Sequence, residues 1–205
     1  MPTVGYDLLK AKKYDSLIAR LVDELGMEAT ADVWVNAEAW LDLMLASSPE
    51  LSAGERKHVE GMILPTCAIY FAIGAALGKR EAYELVSWHL REHASNWMSR
   101  YRGLFSIPGG RQLAMLWFGR VMRRAYGSES GFATDFVETS SKRLVMEVHD
   151  CPYLRWCRDC GAEELAPLFC ENDDYAYGRV AGVDFRREGT LARGASQCDF
   201  DVVLH

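Results

Sequence analysis

Residues 132–148 read Phe-Ala-Thr-Asp-Phe-Val-Glu-Thr-Ser-Ser-Lys-Arg-Leu-Val-Met-Glu-Val, and their period decides the fold. Phe132, Thr134 and Phe136 alternate with polar or smaller neighbours. Ser140-Ser141 then turns the chain into Leu144, Met146 and Val148, which alternate again. A period of two puts successive side chains on opposite faces, the signature of strands with one buried face. The stretch therefore predicts a β-hairpin. Upstream, from Gly127 back to the N-terminus, the period is helical. Asp7 to Leu25, Ala31 to Leu45, the apolar run Met62 to Leu77, Arg80 to Arg100 and Arg111 to Tyr126 each predict a helix, with a charged turn (Glu55, Arg56, Lys57) after Ser52. Downstream, Tyr153 to Cys160 and Glu163 to Tyr175 predict two short helices. Val183 to Arg187 and Cys198 to Val203 predict two further strands. The expected fold is α+β: an N-terminal helical layer packed on a small, mostly antiparallel C-terminal sheet. No repeat or linker divides the chain, so residues 1–205 are expected to form one domain, helical to about 127 and site-bearing from about 128.

Composition narrows the functional classes. With 49% hydrophobic and 25% charged residues the chain has the balance of a globular domain large enough for a core. A net charge of −6 and the want of a basic run beyond pairs such as Lys12-Lys13 argue against nucleic acid as a partner. Met62 to Leu77 holds Pro65 and falls short of the ~20 residues that span a bilayer, so it is expected to be a buried core helix rather than a membrane segment. Six cysteines without a signal-peptide pattern predict reduced thiols and a cytoplasmic location. The recurring tryptophans, Trp34, Trp40, Trp88, Trp97 and Trp117, fall at helical core positions, where one or two could line a pocket for a planar substrate.

Reactive residue types crowd into 149–199, where five of the six cysteines lie among Asp and Arg. Any single cysteine is most simply a small buried hydrophobe. A cluster interleaved with Asp and Arg, which are costly to bury unpaired, fits that reading less well. Four segments run in order: Val148-x-x-Cys151-Pro152-Tyr153, Leu168-x-Cys170-x-x-Asp173, Phe185-x-Arg187-x-x-Thr190-Leu191-x-x-Gly194, and Cys198-Asp199-Phe200. In order and spacing they resemble the L-2-amino-thiazoline-4-carboxylic acid hydrolase family over roughly residues 145–200, the closing motif being the most specific part. The resemblance implies a cofactor-independent enzyme acting on a small-molecule substrate: hydrolysis at the amidine carbon of a cyclic isothiourea, opening the ring towards a carbamoyl-cysteine.

Such chemistry needs a nucleophile, acceptors for the substrate N–H groups, an acid for the leaving group and a cation for the carboxylate. Cys170 or Cys198 could supply a thiolate, or water could attack in a pocket that both thiols shape. Asp173 and Asp199 suit an amidinium grip or a base. Arg187 or Arg193 suits the carboxylate; Thr190, in the same matched segment, and Cys151, in the first segment, are further candidate substrate-binding residues. His149, outside the matched motif, is a candidate acid–base group or an edge histidine. A biosynthetic alternative keeps the fold and closes a ring through an imine, Pictet–Spengler fashion, on an aromatic amine. A third reading is a non-catalytic ligand- or zinc-binding module.

Three weaker signals remain. Cys157-x-x-Cys160 with Cys151 and Cys170 could form a four-thiolate zinc site, though two core-facing cysteines three apart on a helix give the same pattern. His89 and His93 share a helix face with no third ligand in view and no Glu after the first His. Pro108-Gly109-Gly110 before a helix reads as a turn rather than an anion loop. No metal site is expected.

Overall fold

The computed structural model describes residues 4–99, 110–178 and 182–205. Its elements follow the expected order: helices first, then a four-stranded antiparallel sheet at the C-terminal end. The helical layer holds α1 (Val4–Leu9), α2 (Asp15–Leu25), α3 (Met27–Ser47), α4 (Ala53–His58), α5 (Leu64–Leu77), α6 (Lys79–Ser99) and α7 (Gly110–Ala125). The sheet is built from β1 (Ala133–Thr139), β2 (Arg143–Asp150), β3 (Val183–Arg186) and β4 (Cys198–Leu204), with α8 (Pro152–Asp159) and α9 (Ala166–Tyr177) between β2 and β3. The chain is thus α+β.

Two helix expectations need correction. The segment from Asp7 to Leu25 is not one helix: α1 ends at Leu9, a short 3₁₀ turn covers Lys12–Tyr14, and α2 starts at Asp15. The charged stretch after Ser52 is helix rather than turn, because the Ser52 hydroxyl accepts from the Glu55 N–H at 3.1 Å and caps α4. A π-helical segment, Val59–Ile63, joins α4 to α5. Pro65 lacks the N–H that would reach the Gly61 carbonyl, and Lys13 Nζ donates to that carbonyl instead, at 2.7 Å. Ala53–Leu77 is long and apolar enough to cross a membrane by length and composition, but most of its apolar window is buried in the fold. Among the tryptophans, Trp34 and Trp88 pack against the core while Trp40 and Trp117 are exposed. The Trp97 side chain, Arg100, Pro108 and Gly109 lie outside the described residues; Gly110 opens α7.

The sheet order is β1-β2-β4-β3. In register, Val148 faces Cys198, Met146 faces Phe200 and Leu144 faces Val202. These buried residues share one face, as the period of two requires. The register of β1 skips at Val137, a bulge that leaves this residue exposed. Two apolar clusters result, one among the helices and one under the sheet. Tyr153 packs against both.

Met146 has no solvent exposure and lies on β2, one of the two central strands of the sheet. Met146→Ala should cost about 2–5 kcal/mol in urea denaturation. A loss below about 1 kcal/mol would mean that the sheet face is not the packed core described.

Candidate active site

At the seam between the two clusters lies a cavity of about 280 Å³. β2 and β4 contribute Val148, Cys198 and Phe200, α9 contributes Cys170, Asn172 and Asp173, and Cys151 stands at the start of α8. Most of the remaining wall is aromatic, including Tyr126, Phe132, Tyr153, Phe169 and Tyr177, and His93 of α6 reaches it too. The alternation of β4 is what aims Cys198 and Phe200 inward while Asp199 points away.

Cys198 and Cys170 are neighbouring thiols on the cavity wall, each influencing the other. The Cys170 thiol holds the Cys198 sulfur down from the usual thiol range against burial, and the Leu191 N–H, donating to Cys198 Sγ at 3.2 Å, acts the same way. Cys170 is pushed up, first by Cys198 and then by burial. Cys151 is pushed up to about 12, mainly by burial. Asp173 is raised to about 7: desolvation dominates over the attraction of Arg187, whose Nη1 donates to Asp173 Oδ2 at 3.1 Å. A carboxyl poised at that value can hold or release a proton near neutrality.

Arg187 does not line the cavity. Its side chain is 7% accessible and is engaged by Asp173, by Asp174 Oδ2 at 2.8 Å and by the Cys170 carbonyl at 2.8 Å. The Phe185 and Phe200 rings lie 5.5 and 5.4 Å from the guanidinium carbon. Arg193 lies outside, 62% accessible and paired with Glu171 at 2.8 Å. Asp199 accepts from the Glu188 and Gly189 N–H groups at 2.9 and 2.7 Å, so both its oxygens hold the loop that follows β3. Thr190, in that loop, is buried, and its hydroxyl oxygen has no partner among the described residues. His149 is on the opposite sheet face, exposed, with Nε2 3.2 Å from Asp135 Oδ2. Of the sequence candidates, then, Cys151, Cys170, Asp173 and Cys198 meet at the cavity. Arg187, Thr190 and Asp199 support its walls, whereas His149 and Arg193 lie away from it.

The proposed four-thiolate grouping is not assembled. Cys157 and Cys160 turn to Cys67 of α5, in the helical cluster, while Cys151 and Cys170 face the cavity. No group of three or more potential metal ligands occurs among the described residues. His89 and His93 do share a face, their rings stacked 6.4 Å apart. His89 is buried and held down to about 4, mainly by desolvation. The sequence reading missed Asn172, His58 and the tyrosines of the wall. Asn172 and Tyr153 stand within the segments that carried the resemblance, which could have flagged them; His58 has no such signal.

The cavity thus joins a lowered thiol to a carboxyl raised to about 7 on an α+β scaffold. The family model for L-2-amino-thiazoline-4-carboxylic acid hydrolase matches residues 56–202, and the chain belongs to that family. Comparison with curated proteins and with solved structures finds no match for this chain.

Two outcomes follow from this geometry. Asp199→Asn weakens two charge-assisted bonds to the loop and should cost about 1–3 kcal/mol of stability, read by thermal or urea unfolding; unchanged stability would remove Asp199 as the loop's anchor. For Asp173, the folded carboxyl keeps its proton up to about pH 7. In the unfolded chain it releases the proton near pH 4, at about 3.9. Between those values the native state binds more protons, so wild-type stability falls as pH rises from about 4 to about 7. Asp173→Asn should flatten that fall, and equal slopes in both proteins would refute the raised value.

Proposed function

We propose that this protein hydrolyses a small cyclic amidine or isothiourea derived from an amino acid, of the 2-aminothiazoline-4-carboxylate type, with Cys198 as nucleophile and Asp173 as acid. The observation that carries the reading is the meeting of these two groups, one pushed down and the other up to about 7, in a single cavity. Family membership supports hydrolase-like chemistry in general. The volume, about 280 Å³, suits a small ring. Aromatic walls favour a planar cation, the amidinium form of such a ring.

The Cys198 thiolate adds to the amidinium carbon. The ring C–S bond breaks, and Asp173 gives its proton to the departing sulfur. The substrate is then held on Cys198 as an isothiouronium, and Asp173 is a carboxylate. Water adds to the same carbon and Cys198 leaves, giving a carbamoyl-cysteine product. Arg187 is spent on Asp173 and its neighbours, so the substrate carboxylate falls to His93 and Asn172. His93 is the lining side chain able to carry positive charge among the described residues. Asn172 would offer its amide N–H groups to the carboxylate, and its Oδ1, buried without a partner among the described residues, is an acceptor suited to a substrate N–H.

The aromatic wall gives the ring-forming reading its specific support. An aromatic amine joined to an aldehyde as an imine would stack there, with Asp173 protonating the C=N bond.

Incubation with 2-aminothiazoline-4-carboxylate, following free thiol and carbamoylated product, separates the two. Turnover is expected, falling by roughly a thousandfold or more in Cys198→Ser and far less in Cys170→Ser, whose hydroxyl can still donate. Full activity in Cys198→Ser would exclude the thiolate route, and no turnover by the folded, reduced wild type would favour ring formation.

A further inference from the structure

We propose that His58 and Tyr153 form a proton relay for the water that releases the Cys198-bound intermediate, an assignment that rests on the hydrolytic reading above. His58 ends α4, at the start of the π-helical segment, and Tyr153 stands in the first turn of α8. His58 Nε2 is 2.8 Å from the Ala125 carbonyl, and Nδ1 is 2.9 Å from the Tyr153 hydroxyl. A carbonyl can only accept, so Nε2 carries the ring proton. A neutral imidazole has one such proton, which leaves Nδ1 an acceptor, and the Tyr153 hydroxyl must donate to it. The backbone of α7 thereby fixes the tautomer, as a carboxylate does in catalytic triads.

The phenol oxygen keeps a lone pair for another donor. Tyr153 is on the cavity wall, and its hydroxyl also lies 3.9 Å from Met62 Sδ, a second wall residue. His58 itself does not line the cavity; it sits behind, against the Tyr126 and Phe132 rings. Burial holds His58 below its ordinary value and Lys57 adds to this, whereas the Ala125 carbonyl and Glu55 favour its charged form. Burial also keeps Tyr153 protonated. At rest the pair is therefore neutral, with an acceptor at its inner end and a carbonyl and carboxylate ready to stabilise an imidazolium.

In the water step, the water oxygen bonds to the isothiouronium carbon. Its proton passes to Tyr153 Oη as Tyr153's own proton passes to His58 Nδ1. The C–S bond then breaks with its electron pair returning to Cys198 Sγ, and the hydroxyl proton of the collapsing adduct goes to the Asp173 carboxylate. His58 releases to solvent, through Tyr153, the proton that the amidinium brought in. Cys198, Asp173 and His58 are restored.

Loss of the relay should stall only the second half of the reaction. With 2-aminothiazoline-4-carboxylate, Tyr153→Phe should turn over about 100-fold or more slowly, and intact-mass analysis should find about one substrate mass bound to Cys198. His58→Gln should trap the same species. Unchanged turnover, or loss of turnover with no adduct in a variant of normal thermal midpoint, would overturn the relay. If the folded wild type does not turn over this substrate, the hydrolytic reading falls, and ¹⁵N spectra of the His58 ring decide the relay separately. Protonated Nε2, with an Nδ1 signal that moves in Tyr153→Phe, supports it; protonated Nδ1 overturns it.

Discussion

A guanidinium buried to 7% accessibility must find partners for its charge and its N–H groups, and Arg187 finds nearly all of them on one helix. Asp173, Asp174 and the Cys170 carbonyl belong to α9, while the flanking rings, Phe185 and Phe200, belong to β3 and β4. The contact therefore fastens α9 to the sheet and brings Cys170 and Asp173 opposite Cys198. It also restrains Asp173. Without the guanidinium beside it, desolvation and Asp174 would push that carboxyl further up, since Arg187 is the influence that opposes both. Arg187 thus holds Asp173 from behind the cavity wall.

The cavity's location follows from packing two apolar layers whose shapes differ. The helices close around α5, and the sheet closes around Met146 and its neighbours. Where they meet, rings fill the space without sealing it. Tyr153 and Phe169, 4.9 Å apart, and Phe132 bridge the layers. Several polar groups at the seam take partners that the fold supplies at the rim: Arg187 for Asp173, Leu191 N–H for Cys198, His58 for Tyr153.

Much of this was legible in sequence, and the division has a physical basis. Alternation at Phe132–Phe136 and Leu144–Val148 specified strands and their buried face because side-chain direction in a strand depends only on residue parity. Helical spacing found the long helices but not the break after Leu9, where the apolar pattern runs on while the backbone does not. Strand order was not readable: Cys198–Leu204 pairs with β2 across 50 residues, a choice made by tertiary packing. At the site, residue type located Cys170, Asp173 and Cys198. It could not separate Asp199 from them, because the partners of Asp199 are backbone N–H groups, which every non-proline residue offers. His58 was invisible for the same reason, its key partner being a carbonyl.

The six cysteines show how environment decides a role that residue type leaves open. Cys67, Cys157 and Cys160 cluster among the helices; the Cys67 thiol is pushed up by Cys157 and by burial against the opposing influence of Cys160, and the Cys160 thiol is pushed up by Cys67 and by burial. An electropositive neighbour is not among the influences on either, so proton loss there is disfavoured and the cluster behaves as packing. Cys198 is also buried and also has a thiol neighbour. What differs is that it accepts from the Leu191 N–H and feels the charge of Arg187, both of which favour a sulfur anion. The Leu191 N–H is available because Asp199, next in sequence to Cys198, holds the loop by its backbone at Glu188 and Gly189. The Cys-Asp-Phe motif is therefore tied together as a unit: the thiol faces the cavity, the carboxylate fixes the loop whose Leu191 N–H donates to the thiol, and Phe200 supports the guanidinium that holds Asp173 in place.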